Sequence, residues 1–426
     1  MKKLDFLSTL FVGIDVSAKS NVVCALDFNA NKLLEFTVSN NQPGAIELSL
    51  KIRTLMSGSK YKAVVFALES TSFYGIHIAN FLSSDEDLLV FNPFVYCLNP
   101  KMIANYRKSF IGLDKTDPKD AFIIADFARV GRITVAPWRG SQFLALQRLT
   151  RHRLHLVDCI TREKTYMVSN IFLKFSELSI LKEEAHPFTS NHTATAAAIL
   201  TEMLSLEELV AMPMEDLVAF IGKVGKHRFA DPEKVADLLR HAARDSYRLD
   251  KCLYEPLTIS LASSFNCISA YQTEIKAIDR AIEKTIKGLN PTEYQCLVSI
   301  PGIGPVYASG ILSEIGSITA FHSHDALAKY AGLVWKQNQS GDFRADDTRM
   351  SKAGNKYLRY YLIEAANSVK NYIPEYSDFY RKKFDEVKTH QHKRALALTS
   401  RKLIRLIFGL LANDQLYSAE RVNQTS

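Results

Sequence analysis

A carboxylate set inside an apolar strand constrains a fold more than composition does, because an ion withdrawn from water without a partner would sooner lose its charge than stay buried. Asp15, in Val12-Gly13-Ile14-Asp15-Val16-Ser17-Ala18-Lys19, is such a group. Phe11, Val12 and Ile14 lead into it, small and polar residues follow, and Val22, Val23 and Ala25 resume the apolar run. The alternation predicts a hairpin with Asp15 near its tip. A divalent cation would keep the carboxylate ionised, so the question for the rest of the chain is whether it supplies further ligands.

The pattern downstream is that of an α/β domain. Residues 32–39 read as a third strand, and Pro43-Gly44 opens a helix with Ile46, Leu50, Ile52 and Leu55 facing inward. Residues 62–68, Lys-Ala-Val-Val-Phe-Ala-Leu, form a continuous apolar run, as expected of a strand covered on both faces. It ends in Glu69, ahead of Ser70-Thr71-Ser72 and a helix over 74–82, which puts Glu69 at the carboxyl edge where open α/β sheets bind ligands. Residues 88–92 are expected to add a short strand before Pro93. Asp117-Pro118 then reads as a helix cap followed by proline in the first turn, with Asp120 on the same side and the apolar helix 122–128 behind it. Acids in a first turn also complement the helix dipole. Asp114 lies close enough to this pair to compete for a role.

From Gln142 the periodicity changes to long helices. Leu144, Leu146, Leu149, Leu154 and Leu156 begin one that runs to Leu173, and Ile268, Tyr271, Ile275, Ile278 and Ile282 mark a heptad seam on another. Between them, residues 181–261 hold short helices, with starts at Ser205-Leu206-Glu207-Glu208 and Asp231-Pro232-Glu233, and are expected to pack or to bind a partner. Pro301-Gly302-Ile303-Gly304-Pro305 then joins two helices as in a helix-hairpin-helix, whose amides at Gly302 and Gly304 can hold a backbone phosphate. Further on, Arg344, Arg349, Lys352, Lys356 and Arg359 surround a polar loop containing Ser340-Gly341. Cations around a Ser-Gly turn suit a phosphodiester, neutralising its oxygens while the hydroxyl acts as nucleophile. Residues 393–411 form a basic amphipathic helix that closes this C-terminal region.

Asp15, Glu69, Asp117 and Asp120, delivered by separate elements, make a hard-oxygen set suited to Mg²⁺, and two such ions about 4 Å apart can clamp the attacking and leaving oxygens of a phosphodiester. A formal charge of +8, from 53 Lys+Arg against 45 Asp+Glu, favours a polyanionic partner. Six cysteines without a CxxC pair suggest neither a zinc site nor a disulfide framework and point to a reducing compartment, the cytoplasm. No apolar run reaches the roughly 18 residues of a membrane span, and the first residues do not form a secretory signal. An actin-like ATPase would carry a second Asp-x-Gly hairpin and a downstream glycine pair, which are missing.

Taken in order, Gly-Ile-Asp15-Val-Ser-Ala-Lys, Leu-Glu69-Ser-Thr, Lys-Thr-Asp117-Pro-Lys-Asp120-Ala, Pro-Gly-Ile-Gly, Gln-Ser340-Gly and Ser-Lys-Ala-Gly-Asn resemble the DEDD transposases of the insertion-sequence 110 family, relatives of the pilin-gene invertases. The resemblance spans nearly the whole chain. It implies an α/β N-terminal domain of RuvC/RNase H type (residues 1–141) and a coiled-coil region (142–290) with the helical insert. A mostly α C-terminal transposase domain (291–426) with the helix-hairpin-helix and serine loop follows. It further implies that Asp15, Glu69, Asp117 and Asp120 form the metal site, that Ser340 forms a serine-phosphate intermediate with DNA, that protomers of a dimer or tetramer share the site, and that a bridge RNA guides it. Two other expectations remain at this level: a junction-resolving nuclease using metal-activated water, and a nucleic-acid-binding protein without catalysis.

Overall fold

The structure is a computed structural model; it describes residues 5–69, 73–110, 116–131, 133, 137–181, 186–202, 205–289, 291–335, 339–340, 343–344 and 350–419. The chain forms two compact units, residues 1–150 with 282–426, and residues 151–281.

The first unit begins with a five-stranded sheet in the order β3-β2-β1-β4-β5. Its strands are β1 (Thr9–Val16), β2 (Ser20–Leu26), β3 (Lys32–Ser39), β4 (Ala63–Glu69) and β5 (Pro93–Leu98). The expected hairpin is present: β1 and β2 are antiparallel, with Asp15 opposite Val22. β4 lies parallel to β1 on its other side, and β5 parallel to β4. Helices α1 (Gln42–Met56) and α2 (Gly75–Ser84) contribute Leu48, Ile52, Ile78 and Leu82 to the core beneath Leu10, Val12, Ile14, Val64, Phe66 and Leu68. The opposite face carries Phe11, Val65 and Ala67. Ile103 of α3 (Pro100–Arg107) and Ile123, Ile124 and Phe127 of α4 (Asp117–Arg129) cover it. Burying both faces of β1 and β4 explains their uninterrupted apolar runs, each large side chain contributing about 1.5–3 kcal/mol.

Three local expectations are corrected. Residues 88–92 are not a strand: Asp85 accepts from the amide of Asp87 and caps a helical turn, Glu86–Leu89, which leaves Pro93 to open β5. A first strand residue is where proline is tolerated, since no ladder bond then depends on its missing N–H. In α1 the buried stripe is Ala45, Leu48, Ile52 and Met56, while Ile46 and Leu50 are 50% and 53% exposed. The small residues Ala45 and Ser49 also lie inside, and Ser49 satisfies its buried hydroxyl by donating to Asp85 (2.5 Å). The cap of α4 is Thr116 rather than Asp117, which instead stands in the first turn with Pro118.

The second unit is built on residues 151–174 of α5 (Ser141–Lys174) and 254–281 of α6 (Tyr254–Leu289). Arg153 and Asp279 join them through an ion pair of 2.6 Å. Met167, Ile171, Leu261 and Ile268 of these helices share a core with the short helices between them. Ser205 and Asp231 cap two of those by accepting from the amides of Glu208 and Lys234, as their sequence signals require. Lys174 is buried here, its Nζ donating to the Leu200 carbonyl and to Thr258 Oγ1 (both 2.6 Å), and burial pushes its ammonium down to about 8.

The rest of the first unit is helical: α7 (Pro291–Val298), α8 (Pro305–Ile315), α9 (His324–Ala331), α10 (Lys356–Val369), α11 (Pro374–Asp385) and α12 (Gln391–Ala412). Leu403, Ile404, Ile407 and Leu410 of α12 are buried, as expected of a closing amphipathic helix. Among the described residues no helix is long and apolar enough to cross a membrane.

Candidate nuclease edge and phosphate-binding loops

The register of β1 and β4 carries most of the site. Ile14 pairs with Leu68, so the next positions, Asp15 one residue before the end of β1 and Glu69 at the end of β4, stand side by side on neighbouring parallel strands, about 4.8 Å apart along the hydrogen-bonding direction. Strand alternation sets Asp15 with Phe11 and Gly13, and Glu69 with Val65 and Ala67, on the face that α4 covers. The direction of α4 follows from two contacts. Its last residue, Arg129, donates to the Phe28 carbonyl just beyond the end of β2 (2.9 Å), and its middle packs on Gly13. The first turn of α4, with Asp117 and Asp120, therefore lies toward the carboxyl edge that Asp15 and Glu69 occupy. Gly13 permits this approach, since a Cβ there would stand 2.1 Å from the Ala121 carbonyl oxygen.

Asp15 and Glu69 are half-buried, Asp117 is exposed, and Asp120 is 15% exposed in an ion pair with Arg107 of α3. Among the described residues no three His, Cys, Asp or Glu side chains stand close enough to hold a metal ion in this conformation. Carboxylates are the hard oxygen donors a divalent cation takes: Asp15 and Glu69 stand side by side, the first turn of α4 brings Asp117 and Asp120 toward their edge, and a cation would have to draw Asp120 away from Arg107. Asp126, further along α4, shows what a purely structural acid looks like. It is buried, and accepts from the Tyr106 hydroxyl (2.6 Å) and Arg129 Nε (2.7 Å). Asp114 lies outside the described residues.

On the helical side, Gly302 and Gly304 have different jobs. Gly302 has φ +96, and a Cβ on it would meet the Val369 backbone at 2.9 Å, so close packing on α10 explains this glycine. Gly304 is the N-cap of α8, has open space where a Cβ would stand, and makes no side-chain cap bond. The amides that follow Pro305 at this helix end are of the kind that receive a phosphate.

The serine loop is tied at its base. Trp335 bridges Met350, the Ser351 amide donates to the Val334 carbonyl (2.8 Å), and Gln339–Ser340 (β6) pairs with Phe343–Arg344 (β7). Arg349 and the side chains of Ser340 and Arg344 lie outside the described residues. Lys352 and Lys356 are exposed, the latter 4.9 Å from the Tyr357 ring centre. Arg359 is turned inward: it donates to the carbonyls of Ala331 (3.0 Å) and Lys352 (3.1 Å), and burial lowers its pKa.

Comparison with known proteins settles the family. The DEDD transposase model of IS110 elements matches residues 12–173, and the model for transposases of the IS116/IS110/IS902 family matches residues 294–381. The chain belongs to the IS116/IS110/IS902 transposase family. The 42 kDa protein of insertion element IS900 from Mycobacterium paratuberculosis is 26% identical over 412 residues, 96% of this chain and 97% of that protein. The 44.8 kDa protein of insertion element IS116 from Streptomyces clavuligerus is 22% identical over 421 residues, 98% of each chain. The pilin gene-inverting protein of Moraxella lacunata is 22% identical over 410 residues, 96% of this chain and 98% of that protein. Transposases of this family cut and join DNA strands, and this transposase is an enzyme of that class.

Two supporting groups of the transposase escaped the sequence reading. Arg107, the partner of Asp120, lies in a separate helix, and its only signal was a cation in the last turn after Pro100. Glu314 is the lone acid of the apolar helix α8 and is buried. Asn355 Nδ2 donates to it (2.7 Å), while Asn355 Oδ1 accepts from the amides of Tyr357 and Leu358 and so caps α10. An acid inside an otherwise apolar helix is the signal that could have found it.

Proposed function

We propose that this transposase transfers DNA strands with a RuvC-like carboxylate site and a serine nucleophile. The observation that carries the reading is the register that sets Asp15 beside Glu69 at the carboxyl edge of the sheet, with the first turn of α4 on the same face. Asp15, Glu69, Asp117 and Asp120 would hold Mg²⁺, which when bound supplies charge stabilisation to the phosphate oxygens. Arg107 orients Asp120 and balances its charge.

Ser340 supplies the nucleophile. As its Oγ–P bond forms, a P–O bond of the DNA backbone breaks and the departing strand end takes up a proton as a free hydroxyl. Attack by the hydroxyl of another strand reverses the step, rejoins the backbone and frees the serine. One phosphodiester is exchanged for another, so no nucleotide cofactor is consumed. Lys352 and Lys356, at the loop base, with Arg344 and Arg349, hold the phosphates, and Gly304 receives one from a flanking turn. The IS110 kinship supports targeting by a guide RNA and a dimer or tetramer in which loop and acids come from different protomers.

The test is an end-labelled DNA carrying the element ends, incubated with the protein and Mg²⁺ and denatured. A covalent protein-DNA adduct should form, should map to Ser340, and should vanish in Ser340→Ala and Asp15→Asn. Cleavage that persists in Ser340→Ala without an adduct would establish metal-activated water as the nucleophile instead.

A further inference from the structure

Beyond the serine loop, the helical module concentrates charge at one end of the α11–α12 hairpin. Residues 380–394 hold six lysines and arginines and two acids, a net of +4, half of the whole chain's +8. Glu386 occupies Lys383 (2.5 Å) and Arg394 (3.0 Å). Arg381, Lys382, Lys388 and Lys393 are exposed and make no ion pair among the described residues, although Asp378 and Asp385 share the surface. A solvated face usually balances both signs; here four unpaired cations gather around one turn against two exposed acids, Asp378 and Asp385, and the excess is positive. Lys382 stands in the last turn of α11, and Lys388 and Lys393 flank the start of α12.

This turn is joined to the glycine turn. Gly302 packs on Val369, and the next residue, Lys370, places its Nζ 4.6 Å from the ring centre of Tyr380. Tyr380 in turn shares a 2.7 Å hydrogen bond between its hydroxyl and His392 Nδ1. These contacts tie the turn at Gly302, two residues before the N-cap Gly304, through Val369, Lys370 and Tyr380 to the cations of the hairpin. The segment lies at and beyond residue 381, where the family match ends.

We propose that the Lys382/Lys388/Lys393 turn is a second DNA-binding surface, which grips the phosphate backbone of duplex DNA without reading sequence and continues the contact begun at Gly304. The inference rests on the reading of the chain as a DNA strand-transfer enzyme, and it adds an anchor outside the reacting phosphates. Flexible lysines separated along a turn neutralise phosphates as point charges and impose no base preference.

The experiment is fluorescence anisotropy of the full chain with a short duplex of arbitrary sequence across a salt series. The triple variant Lys382→Gln, Lys388→Gln, Lys393→Gln should lower the slope of log affinity against log salt by about 2 to 3 and weaken binding at physiological salt by about tenfold or more. A control with the same loss of charge elsewhere, Lys60→Gln, Lys62→Gln, Lys226→Gln, should keep the wild-type slope. An unchanged slope in the first triple, an equal loss in the control, or a loss confined to an RNA duplex of the same sequence would overturn the proposal. The slope is read without chemistry, so it stands or falls separately from the adduct. With DNA in saturating amounts the first triple should form the Ser340 adduct at the wild-type yield, and absence of the adduct in the wild type would count against the serine mechanism alone.

Discussion

Asp15 and Glu69 reach the carboxyl edge of the sheet on neighbouring strands in one register, whereas Lys352 and Lys356 stand exposed at the base of a loop tied by scattered contacts, among them the Trp335–Met350 bridge, the Ser351–Val334 hydrogen bond and the Asn355 helix cap. The sheet edge is fixed by backbone pairing and by a helix that sits directly on Gly13; the loop base is fixed by a few polar bonds, chief among them Asn355 to Glu314. Carboxylates that must share an ion need positions set to a fraction of an ångström. Cations that meet a phosphate backbone tolerate more movement, because their attraction falls off slowly with distance. On the proposed mechanism, the rigid region does the chemistry of the acids and the adaptable one binds DNA.

The comparison breaks first at Asp15. Asp15→Asn should reduce strand cleavage by at least about 10³-fold, equivalent to roughly 4 kcal/mol of transition-state stabilisation, and leave DNA affinity unimpaired. Parallel cleavage and anisotropy measurements check this, and a loss of binding equal to the loss of cleavage would erase the division of labour. Next comes the rigidity of the edge: Gly13→Ala would drive a methyl group into the Ala121 carbonyl, displacing α4, and should cost about 1–3 kcal/mol in a denaturant unfolding curve.

Lys174 sharpens the contrast as a cation held in the interior. Its pKa is lowered from 10.5 to about 8 by burial, so above about pH 8 the unfolded chain binds more protons than the folded one. The cost of burying it is fully present below pH 8 and is relieved as the pH rises toward 10.5. Unfolding of the residue 151–281 unit, followed with and without Lys174→Met, should show that rise in wild type, on the order of 1–3 kcal/mol, and its loss in the variant. At the loop base, Asn355→Ala removes the cap of α10 and should destabilise by about 1–2 kcal/mol, measured by thermal unfolding, with cleavage falling further than binding because the serine loop loses an anchor. The smallest effect is expected at the exposed cation: Lys352→Gln should lower the salt slope by about 1 and leave cleavage at saturating DNA unchanged.

How far the sequence reaches follows the same division. Asp15 and Glu69 were legible because apolar periodicity marked both strands and the carboxyl edge of an α/β sheet is where such acids act. Residues 88–92 misled because Leu-Leu-Val imitates a strand, although only Leu88 is buried and the Asp85 cap decides the local structure. The inward face of α1 was misjudged because Ile46 and Leu50 outweigh Ala45 and Ser49 in any hydrophobic count, while Ser49 is held inside by Asp85 in a different helix cap. Arg107 and Glu314 act through partners far away along the chain, which no local pattern encodes. Arg359 follows the exposed cations of the serine loop closely in sequence, yet it donates to the carbonyls of Ala331 and Lys352.

The most direct measurement of the central claim is to replace Mg²⁺ with Fe²⁺, add ascorbate and peroxide, and map where the hydroxyl radicals generated at the ion cut the polypeptide. The account predicts cuts beside Asp15, beside Glu69 and across Asp117 to Asp120, all suppressed by excess Mg²⁺ and all lost together in Asp15→Asn. Cuts at only one of these segments, or a pattern that Asp15→Asn leaves intact, would contradict a shared metal site on the sheet edge.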